Sequence, residues 1–292
     1  MCGIVGYVGT KNVPGRAYFA LDVVLEGLRR LEYRGYDSAG VAVLDEGKIS
    51  FRKKAGKVAA LDEVIAADPL PQAVVGIGHT RWATHGGPTD ANAHPHVVDG
   101  GKLAVVHNGI IENFAELKTE LAEKGYTFKS ETDTEVAATL LSDFMHGAGE
   151  GDLTESMRLT CNRLEGAFTL LALHTDFPDR IVAARRNSPL VIGLGEGENF
   201  LGSDVSGFID YTKNAVEMAN DQIVTITATS YDIIDFAGNK AQGKPFKVEW
   251  DAAAAEKGGF SSFMEKEIHD QPTAVRDTLM GRFDENGKLT LD

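Results

Sequence analysis

The sequence predicts an α+β fold in which two β-sheets pack together and helices cover their outer faces. Strand-like and helical segments come first, then a run of helices, then many strands, without the regular βαβ alternation of a doubly wound fold. The 292 residues are enough for one large domain, or for one domain plus a fragment, and they contain no internal repeat. These observations favour two layers of sheet over a single parallel sheet.

The first hundred residues predict three strands and one helix. The segment CGIVGYVG is short and rich in Val and Gly, which predicts a strand that begins at the second residue. Apolar residues from Leu21 to Leu31 recur at helical spacing, and Gly35 ends that helix. AGVAVLD predicts a strand with its turn at Glu46–Gly47, and VVGIGHT predicts the next strand. The segment RWATHGGPTDANAHPH has no period and predicts a loop.

The remainder predicts one strand, three helices and then many strands. KLAVVHNG predicts a strand that ends in a tight turn at Asn108–Gly109. Helices are predicted at about 113–125, from Thr132 onward, and at about 153–164, and Thr132 and Glu135 have the spacing of a capping box. Further strands are predicted in AFTLLALH, RIVAARR, LVIGLG, NFLGS, QIVTIT and YDIIDF. We place one domain at 2–250, and interpret 251–292 as a linker, around AAAAEKGG, followed by an amphipathic tail.

Charge and hydropathy exclude several classes of partner. The 29 basic and 43 acidic residues give a net charge of −14, which argues against nucleic acid as a partner. No apolar run approaches the roughly 18 residues that a membrane span needs. The start lacks the basic and apolar regions of a signal peptide. We therefore expect a cytoplasmic protein that binds no membrane.

The two cysteines have different predicted roles. Two cysteines do not make a disulfide framework, and Cys161 in MRLTCNRL is interpreted as a small buried hydrophobic residue. Removal of Met1 would leave Cys2 with a free α-amine, whose pKa of about 7.7–8.0 lies near the thiol value of about 8.5. That amine can serve the thiol as a general base, directly or through one water. The alternative is that Cys2 is a core residue on an edge strand.

The segment VVHNG carries a candidate oxyanion hole. The Asn108 side-chain amide and the Gly109 backbone N–H would lie side by side at the strand end. Amide hydrolysis needs such donors where negative charge develops on the carbonyl oxygen. The alternative is an ordinary sharp turn, since Asn-Gly is the commonest dipeptide for one.

The loop after the VVGIGHT strand holds candidate substrate ligands. Arg81 can bind a carboxylate through a bidentate fork, Thr84 and His85 can add hydrogen bonds, and Trp82 can act as an apolar lid. A metal site is the alternative, because four histidines lie close in sequence: His79, His85, His94 and His96. No cysteine accompanies them and they share one long loop, so we expect no metal.

The segment SETDTE places Asp133 in the first turn of a predicted helix. Its carboxylate can hold a cationic ammonium group. The alternative is structural, because acidic residues in a first turn are favoured by the helix dipole alone.

Taken together, these motifs resemble the class II glutamine amidotransferases. The resemblance covers nearly the whole chain and includes CGIVGYVG, RRLEYRGYDSAG, HTRWATHG, NAHPH, VVHNGIIEN, SETDTE and FMEKEIHDQP. RRLEYRGYDSAG, HTRWATHG and VVHNGIIEN together are similar to the branch in which a glutaminase domain is fused to a sugar-isomerase half. The resemblance implies an N-terminal-nucleophile hydrolase fold, a four-layer αββα sandwich of two antiparallel sheets.

The resemblance also implies residue roles. Cys2 is the expected nucleophile with its own α-amine as base, and Asn108 and Gly109 are the expected oxyanion hole. Asp133 is expected to hold the α-ammonium of glutamine, and Trp82 to gate the passage of ammonia. Arg34 is expected to order the loop over the nucleophile. Three residues are expected to take the α-carboxylate: Arg81, Thr84 and His85. No cofactor is expected.

The implied function is hydrolysis of the glutamine amide, which supplies ammonia for the amination of a sugar phosphate. The expected partners are L-glutamine, a sugar-isomerase domain of the full-length chain and, at full length, a second copy in a homodimer. We expect that isomerase half to be absent, because the sequence stops at Asp292 where the resemblance leads into it. Two alternatives stay open, namely the glutaminase of another class II enzyme, forming phosphoribosylamine or asparagine, and a non-enzymatic docking domain that senses a ligand.

Overall fold

The computed structural model describes residues 2–11, 18–35, 37–249, 260 and 263–279. The chain divides into two units, Met1–Glu249 and Trp250–Asp292. The predicted linker at 252–259 lies outside the described residues, as does the side chain of Arg34.

The described residues form six α-helices and fourteen strands. The helices are α1 (Ala20–Leu31), α2 (Val58–Ala67), α3 (Phe114–Glu123), α4 (Asp133–His146), α5 (Leu153–Arg163) and α6 (Phe263–Leu279). The strands are β1 (Gly3–Gly9), β2 (Ser38–Asp45), β3 (Lys48–Ala55), β4 (Val75–Arg81), β5 (His96–Val98), β6 (Leu103–Ile111), β7 (Gly166–His174), β8 (Arg180–Arg186), β9 (Val191–Leu194), β10 (Glu198–Gly202), β11 (Asn214–Glu217), β12 (Gln222–Thr227), β13 (Tyr231–Asp235) and β14 (Lys244–Lys247).

The strands form two sheets, which confirms the predicted α+β fold with two antiparallel sheets. The first sheet has eight strands in the order β14-β11-β9-β10-β1-β4-β2-β3, and the second has six in the order β13-β12-β8-β7-β6-β5. Every ladder between these strands is antiparallel. β1 lies inside the first sheet, between β10 and β4, and the Asn-Gly segment of β6 pairs with β7 in the second sheet.

Three buried clusters separate four layers of structure. One joins α1 and α2 to the first sheet, one lies between the sheets, and one joins the second sheet to α3, α4 and α5. β1 shows how alternation builds this arrangement, because Ile4 and Val8 face the other sheet while Val5 and Tyr7 face α1. Full burial of each such aliphatic side chain contributes about 1.5–3 kcal/mol to stability.

Several short or exposed elements were not predicted. β5, β11 and β14 have only three or four residues, too few to show a period. β3 is a lysine-bearing edge strand, and α2 buries only Val58 and Leu61, so neither has a clear apolar face. The predicted tight turn at Asn108–Gly109 is wrong. β6 continues to Ile111, paired with β7, with Gly109 at φ +121° inside the strand.

The helix that carries Asp133 begins as the sequence predicts. Thr132 caps α4 through its hydroxyl, which accepts a hydrogen bond from the Glu135 backbone N–H at 3.2 Å. The Glu135 carboxylate instead accepts from the backbone N–H groups of Lys129 and Ser130. This network fixes Asp133 as the first residue of α4. Cys161, on α5, is fully buried as predicted.

The second unit is described mainly by α6. The helix has Pro272 in its interior and exposes Met264, Ile268 and Val275. The Phe260 ring stacks on His269 with ring centres 5.1 Å apart. Among the described residues, none of the helices has both the length and the apolar character needed to cross a membrane.

Candidate active site

The start of β1 is held in place by three hydrogen bonds. The Gly3 N–H donates to Thr80 Oγ1 and the Ile4 N–H to Ser203 Oγ, each at 3.1 Å. Asn108 Nδ2 donates to the Cys2 carbonyl, also at 3.1 Å. The residue that would become the N-terminus is therefore fixed by groups from both sheets.

The Cys2 thiol lies against the backbone of Trp82. Its Sγ accepts a hydrogen bond from the Trp82 N–H at 3.1 Å, and the thiol lies 3.7 Å from the Trp82 carbonyl oxygen. Burial raises the pKa of Cys2, and the Trp82 N–H opposes that rise. Within the described part of the chain, no imidazole is hydrogen-bonded to Sγ. A nucleophilic Cys2 would therefore need another base.

Cys2 opens onto a cavity of about 280 Å³. A volume of that size is close to the lower end of the range for small-molecule sites. Most of the predicted site residues are found on its wall or beside it. The lining includes Cys2, Trp82, Thr84, Asn108, Gly109 and Ser203.

The residues predicted to supply the oxyanion donors, Asn108 and Gly109, lie on β6 and line the same cavity as Cys2. Asn108 Nδ2 donates one of its two hydrogens to the Cys2 carbonyl oxygen. The second N–H is left for another acceptor. Gly109, at φ +121°, has no room for a side chain, since a Cβ would lie 2.0 Å from the Ala167 carbonyl oxygen. The strand can therefore pass the cavity with this backbone only if residue 109 is glycine.

Arg81 closes the loop that follows β4. Its guanidinium is buried and donates to the carbonyl oxygens of His85, Gly86 and Gly87, with the last two at 3.0 and 3.1 Å. It also lies 3.6 Å from an oxygen of Asp37. The loop carbonyls thus occupy the fork that was predicted to bind a carboxylate. A carboxylate would have to replace some of these bonds.

Asp133 lies under the same loop. Its Oδ2 accepts a hydrogen bond from the Ile111 N–H at 2.9 Å, and it lies 3.9 Å from Nδ1 of both His85 and His107. The carboxylate is buried. Its remaining acceptor capacity suits a cation that enters beside it.

A second, smaller chamber lies beside Cys2, between Arg81 and Asp133. It has a volume of about 10 Å³ and is lined by residues that include Cys2, Arg81, Thr84, Gly109 and Asp133. That is room for about one water, so the chamber is nearly closed in this structure. An amino-acid ligand would have to displace the loop at 84–87 to enter.

Three further predicted residues lie at the rim. Trp82 is 59% exposed, and its ring packs against the backbone of Gly35. Thr84 is exposed and contacts both chambers. The His85 imidazole lies beside Asp133, and its backbone carbonyl accepts from Arg81. The structure thus brings Cys2, Asn108, Gly109 and Asp133 together with the loop that carries Arg81.

The histidines considered as metal ligands are separately engaged. His79 Nε2 lies 2.9 Å from Asn108 Oδ1, and His96 Nε2 lies 2.9 Å from Thr132 Oγ1. His94 Nδ1 accepts from the backbone N–H of His107 at 3.4 Å. The described ranges contain no group of three or more His, Cys, Asp and Glu side chains arranged to hold a metal ion.

Four residues that support the site were not predicted from the sequence. Thr80 and Ser203 bind the backbone of β1, His79 contacts Asn108, and His107 contacts both Thr134, at 2.9 Å, and Asp133. His79 and Thr80 immediately precede Arg81, and His107 precedes Asn108, so proximity to the predicted residues was an available signal. Ser203 lies 199 residues along the chain from Ile4, whose backbone N–H it binds, and had no such signal.

The buried histidines predict that the fold is sensitive to acid. Burial lowers the pKa of His79 to about 3 and lowers the pKa values of His94, His96 and His107. The unfolded chain, with histidine pKa near 6.5, therefore binds more protons. The contribution of these histidines to the free energy of unfolding is fully present above about pH 6.5. It is lost as pH falls toward 3, by up to about 1.4 kcal/mol per histidine and pH unit. We expect Tm to fall steadily between pH 6.5 and 5 and to recover at pH 7.5; an unchanged Tm would contradict this.

The chain is similar to one family model and to curated proteins from several bacteria. Residues 79–210 match the model of a glutamine amidotransferase domain. The chain is 78% identical over 292 residues to a Corynebacterium diphtheriae glutamine–fructose-6-phosphate aminotransferase (isomerizing), covering all of this chain and 47% of that protein. The proteins of the same name from Streptomyces coelicolor and Mycobacterium tuberculosis are 59% and 52% identical, covering all of this chain and 46% and 47% of theirs. The chain spans about half the length of these curated relatives.

Solved structures share the fold. A glutamine phosphoribosylpyrophosphate amidotransferase from B. subtilis superposes with a TM-score of 0.68 at 23% identity, covering 82% of this chain and 50% of that chain. A structure described as the allosteric regulatory enzyme of purine biosynthesis gives a TM-score of 0.69 at 24% identity, with the same two coverages. The predicted sandwich of two antiparallel sheets is therefore confirmed as a fold.

Proposed function

We propose that this chain, which carries a glutamine amidotransferase domain, hydrolyses the side-chain amide of L-glutamine with Cys2 as its nucleophile. The observation that carries the proposal is the position of Cys2. It lies at the start of a strand fixed by both sheets, opens onto a cavity of about 280 Å³, and faces Asn108 and Gly109 across it. Nucleophile and oxyanion donors in one small cavity are what acyl transfer from an amide requires.

The first half of the reaction forms a thioester. After removal of Met1, the α-amine of Cys2 takes the thiol proton, and the thiolate attacks the amide carbon of glutamine. The carbonyl oxygen becomes an oxyanion that accepts hydrogen bonds from Asn108 Nδ2 and the Gly109 N–H. The ammonium formed on Cys2 returns its proton to the leaving nitrogen, and ammonia departs. Because burial raises the thiol pKa, an adjacent base is needed at neutral pH.

The second half regenerates the enzyme. Water, deprotonated by the same α-amine, attacks the thioester carbon, and the oxyanion forms again in the same hole. Collapse of this intermediate breaks the carbon–sulfur bond, and the thiolate takes the proton back. The products are glutamate and ammonia, one water being consumed for each glutamine.

The two charged ends of glutamine bind in the chamber behind Cys2. Asp133 takes the α-ammonium, because its buried carboxylate has acceptor capacity left beside the Ile111 N–H. The α-carboxylate is bound where the loop at 84–87 now satisfies the Arg81 fork. Two hydrogen-bonding side chains complete this end, Thr84 and His85.

Arg81 and Asp133 should therefore act mainly on KM. Replacing either with alanine removes charge-assisted hydrogen bonds worth about 1.5–3 kcal/mol each, so we expect KM for glutamine to rise about 10- to 1000-fold. Arg81→Lys should not restore it, because a single ammonium cannot reproduce the planar fork. Steady-state kinetics with glutamine checks this, with Tm as the control for folding. A wild-type KM in both alanine variants would show that the pocket is misassigned.

The name of the relatives indicates which reaction uses the ammonia. We propose that, in the full-length protein, this ammonia is used on a sugar-isomerase domain to convert fructose 6-phosphate to glucosamine 6-phosphate. Trp82, exposed at the rim, would gate its passage, and Arg34 would order the loop over Cys2. A homodimer at full length and a cytoplasmic location belong to the same proposal. The free thiol that the chemistry needs supports a reducing compartment.

Release of glutamate and ammonia from L-glutamine tests the proposal, with L-asparagine as the matched control. We expect equimolar products from glutamine and far slower turnover of asparagine. Residues 1–292 alone should neither be stimulated by fructose 6-phosphate nor aminate it. A folded chain whose N-terminus is Cys2 but which releases no glutamate would favour the non-enzymatic docking domain. The sequence identities of 52–78% favour the sugar-aminating branch over other class II enzymes.

A further inference from the structure

We infer that His79 is a positioning residue for the oxyanion hole, holding the Asn108 amide so that its NH₂ group faces the Cys2 carbonyl and the reacting carbonyl. The inference rests on the proposed function and adds to it a residue of the chamber wall whose role would be to orient Asn108. Its basis is a single chain of contacts, from His79 Nε2 to Asn108 Oδ1 at 2.9 Å and from Asn108 Nδ2 to the Cys2 carbonyl at 3.1 Å.

An asparagine side chain has two nearly isosteric orientations. In one, Asn108 Oδ1 faces His79 and the NH₂ group faces Cys2. In the other, the two ends exchange places, and Oδ1 would lie about 3 Å from the Cys2 carbonyl oxygen. Two acceptors at that distance repel each other, and the cavity would receive no donor from Asn108. Only the first orientation allows Asn108 to stabilise an oxyanion.

His79 selects that orientation through its protonation state. A carbonyl oxygen of an amide only accepts hydrogen bonds, so Nε2 of His79 must carry the proton that lies between them. The imidazole is 1% exposed, and burial lowers its pKa to about 3, so the ring is neutral at pH 7. A neutral ring with its proton on Nε2 has Nδ1 as an acceptor.

The position of His79 makes it a rigid support. It lies on β4, paired with Ile4 of β1 on one side and with Gly40 of β2 on the other. Its ring also packs on the ring of His94 with centres 4.2 Å apart. Because two strand ladders and a ring contact fix the His79 donor, it cannot move with the Asn108 amide if that amide is displaced. It restricts Asn108 to one geometry before the substrate arrives, which is how preorganised donors stabilise a transition state.

The test uses three single variants of the same chain. His79→Leu removes the donor and keeps an apolar side chain of similar reach, and we expect kcat to fall about 10- to 100-fold, the cost of a small misplacement of a catalytic group. KM should stay within about two-fold. His79→Gln, whose amide N–H can donate to Asn108 Oδ1, should recover part of the loss. His174→Leu removes an imidazole of similarly low exposure at the last residue of β7, and it should leave kcat unchanged.

A double-mutant cycle separates positioning from general damage. In an Asn108→Ala background there is no amide to orient, so His79→Leu should cost less than about three-fold in kcat. Nitrogen-15 NMR of the imidazoles gives a second readout, and His79 should show the neutral tautomer with its proton on Nε2. Full kcat in a folded His79→Leu variant, an equal loss in both backgrounds, or the Nδ1 tautomer would overturn the inference alone. An inactive parent chain would overturn the proposed function and the inference with it.

Discussion

Replacing Cys2 with serine is expected to lower kcat for glutamine hydrolysis on the order of 10⁴-fold or more, as the loss of an activated nucleophile does elsewhere. A hydroxyl is far less acidic than a thiol, and an α-amine with a pKa of about 7.7–8.0 is too weak a base to activate it. Burial already raises the thiol pKa, so even the native nucleophile depends on its base. Steady-state glutamate release measures the effect.

Two controls make the Cys2 result specific. Cys161→Ser should leave kcat unchanged, because Cys161 is fully buried on α5 and burial raises its pKa strongly. The Cys2→Ser variant should still bind glutamine, since the predicted ligands of the charged ends are untouched, and calorimetry can show this. Substantial hydrolysis by a folded Cys2→Ser or Cys2→Ala variant would mean that another group attacks the amide.

Asn108→Ala is expected to lower kcat about 100- to 1000-fold with little change in KM. The developing oxyanion is bound more tightly than the ground-state carbonyl, so its donor matters most in the transition state. Asn108 also holds the Cys2 carbonyl, so part of the loss comes from a looser nucleophile.

An isosteric variant separates these contributions. Asn108→Asp keeps an acceptor for His79 but lacks the amide hydrogens and adds a negative charge beside the oxyanion, so its kcat should be no higher than that of Asn108→Ala. Thermal melting controls for stability. An unchanged kcat with a raised KM in Asn108→Ala would make Asn108 a ground-state binding residue and remove it from the oxyanion hole.

Long periodic segments allowed most of the fold to be predicted from the sequence. β8 and β12 were predicted residue for residue, and the cap of α4 by Thr132 was read from spacing alone. The two-sheet architecture followed from the order of elements. The short strands and the exposed helix α2 were missed because three or four residues show no period and a weakly buried helix shows no face. The sequence also favoured a turn at Asn108–Gly109, where strand pairing with β7 keeps the chain extended.

The candidate site was predicted only in part. Cys2, Asn108 and Asp133 could be proposed because their chemistry depends on local position: behind Met1, in an Asn-Gly pair, and in a first helical turn. What could not be predicted is tertiary. Ser203 binds β1 from a strand end about two hundred residues away, and Arg81 makes its hydrogen bonds to its own loop. The burial that leaves His79 neutral depends on the closed sandwich and has no local signature.

Labelling with a diazoketone analogue of glutamine, followed by intact mass measurement and peptide mapping, tests whether Cys2 is the nucleophile. We expect loss of Met1, one adduct per chain, its location on Cys2, and protection by excess L-glutamine. An adduct on Cys161, or a chain with a free N-terminal cysteine that takes no label while folded, would contradict this assignment.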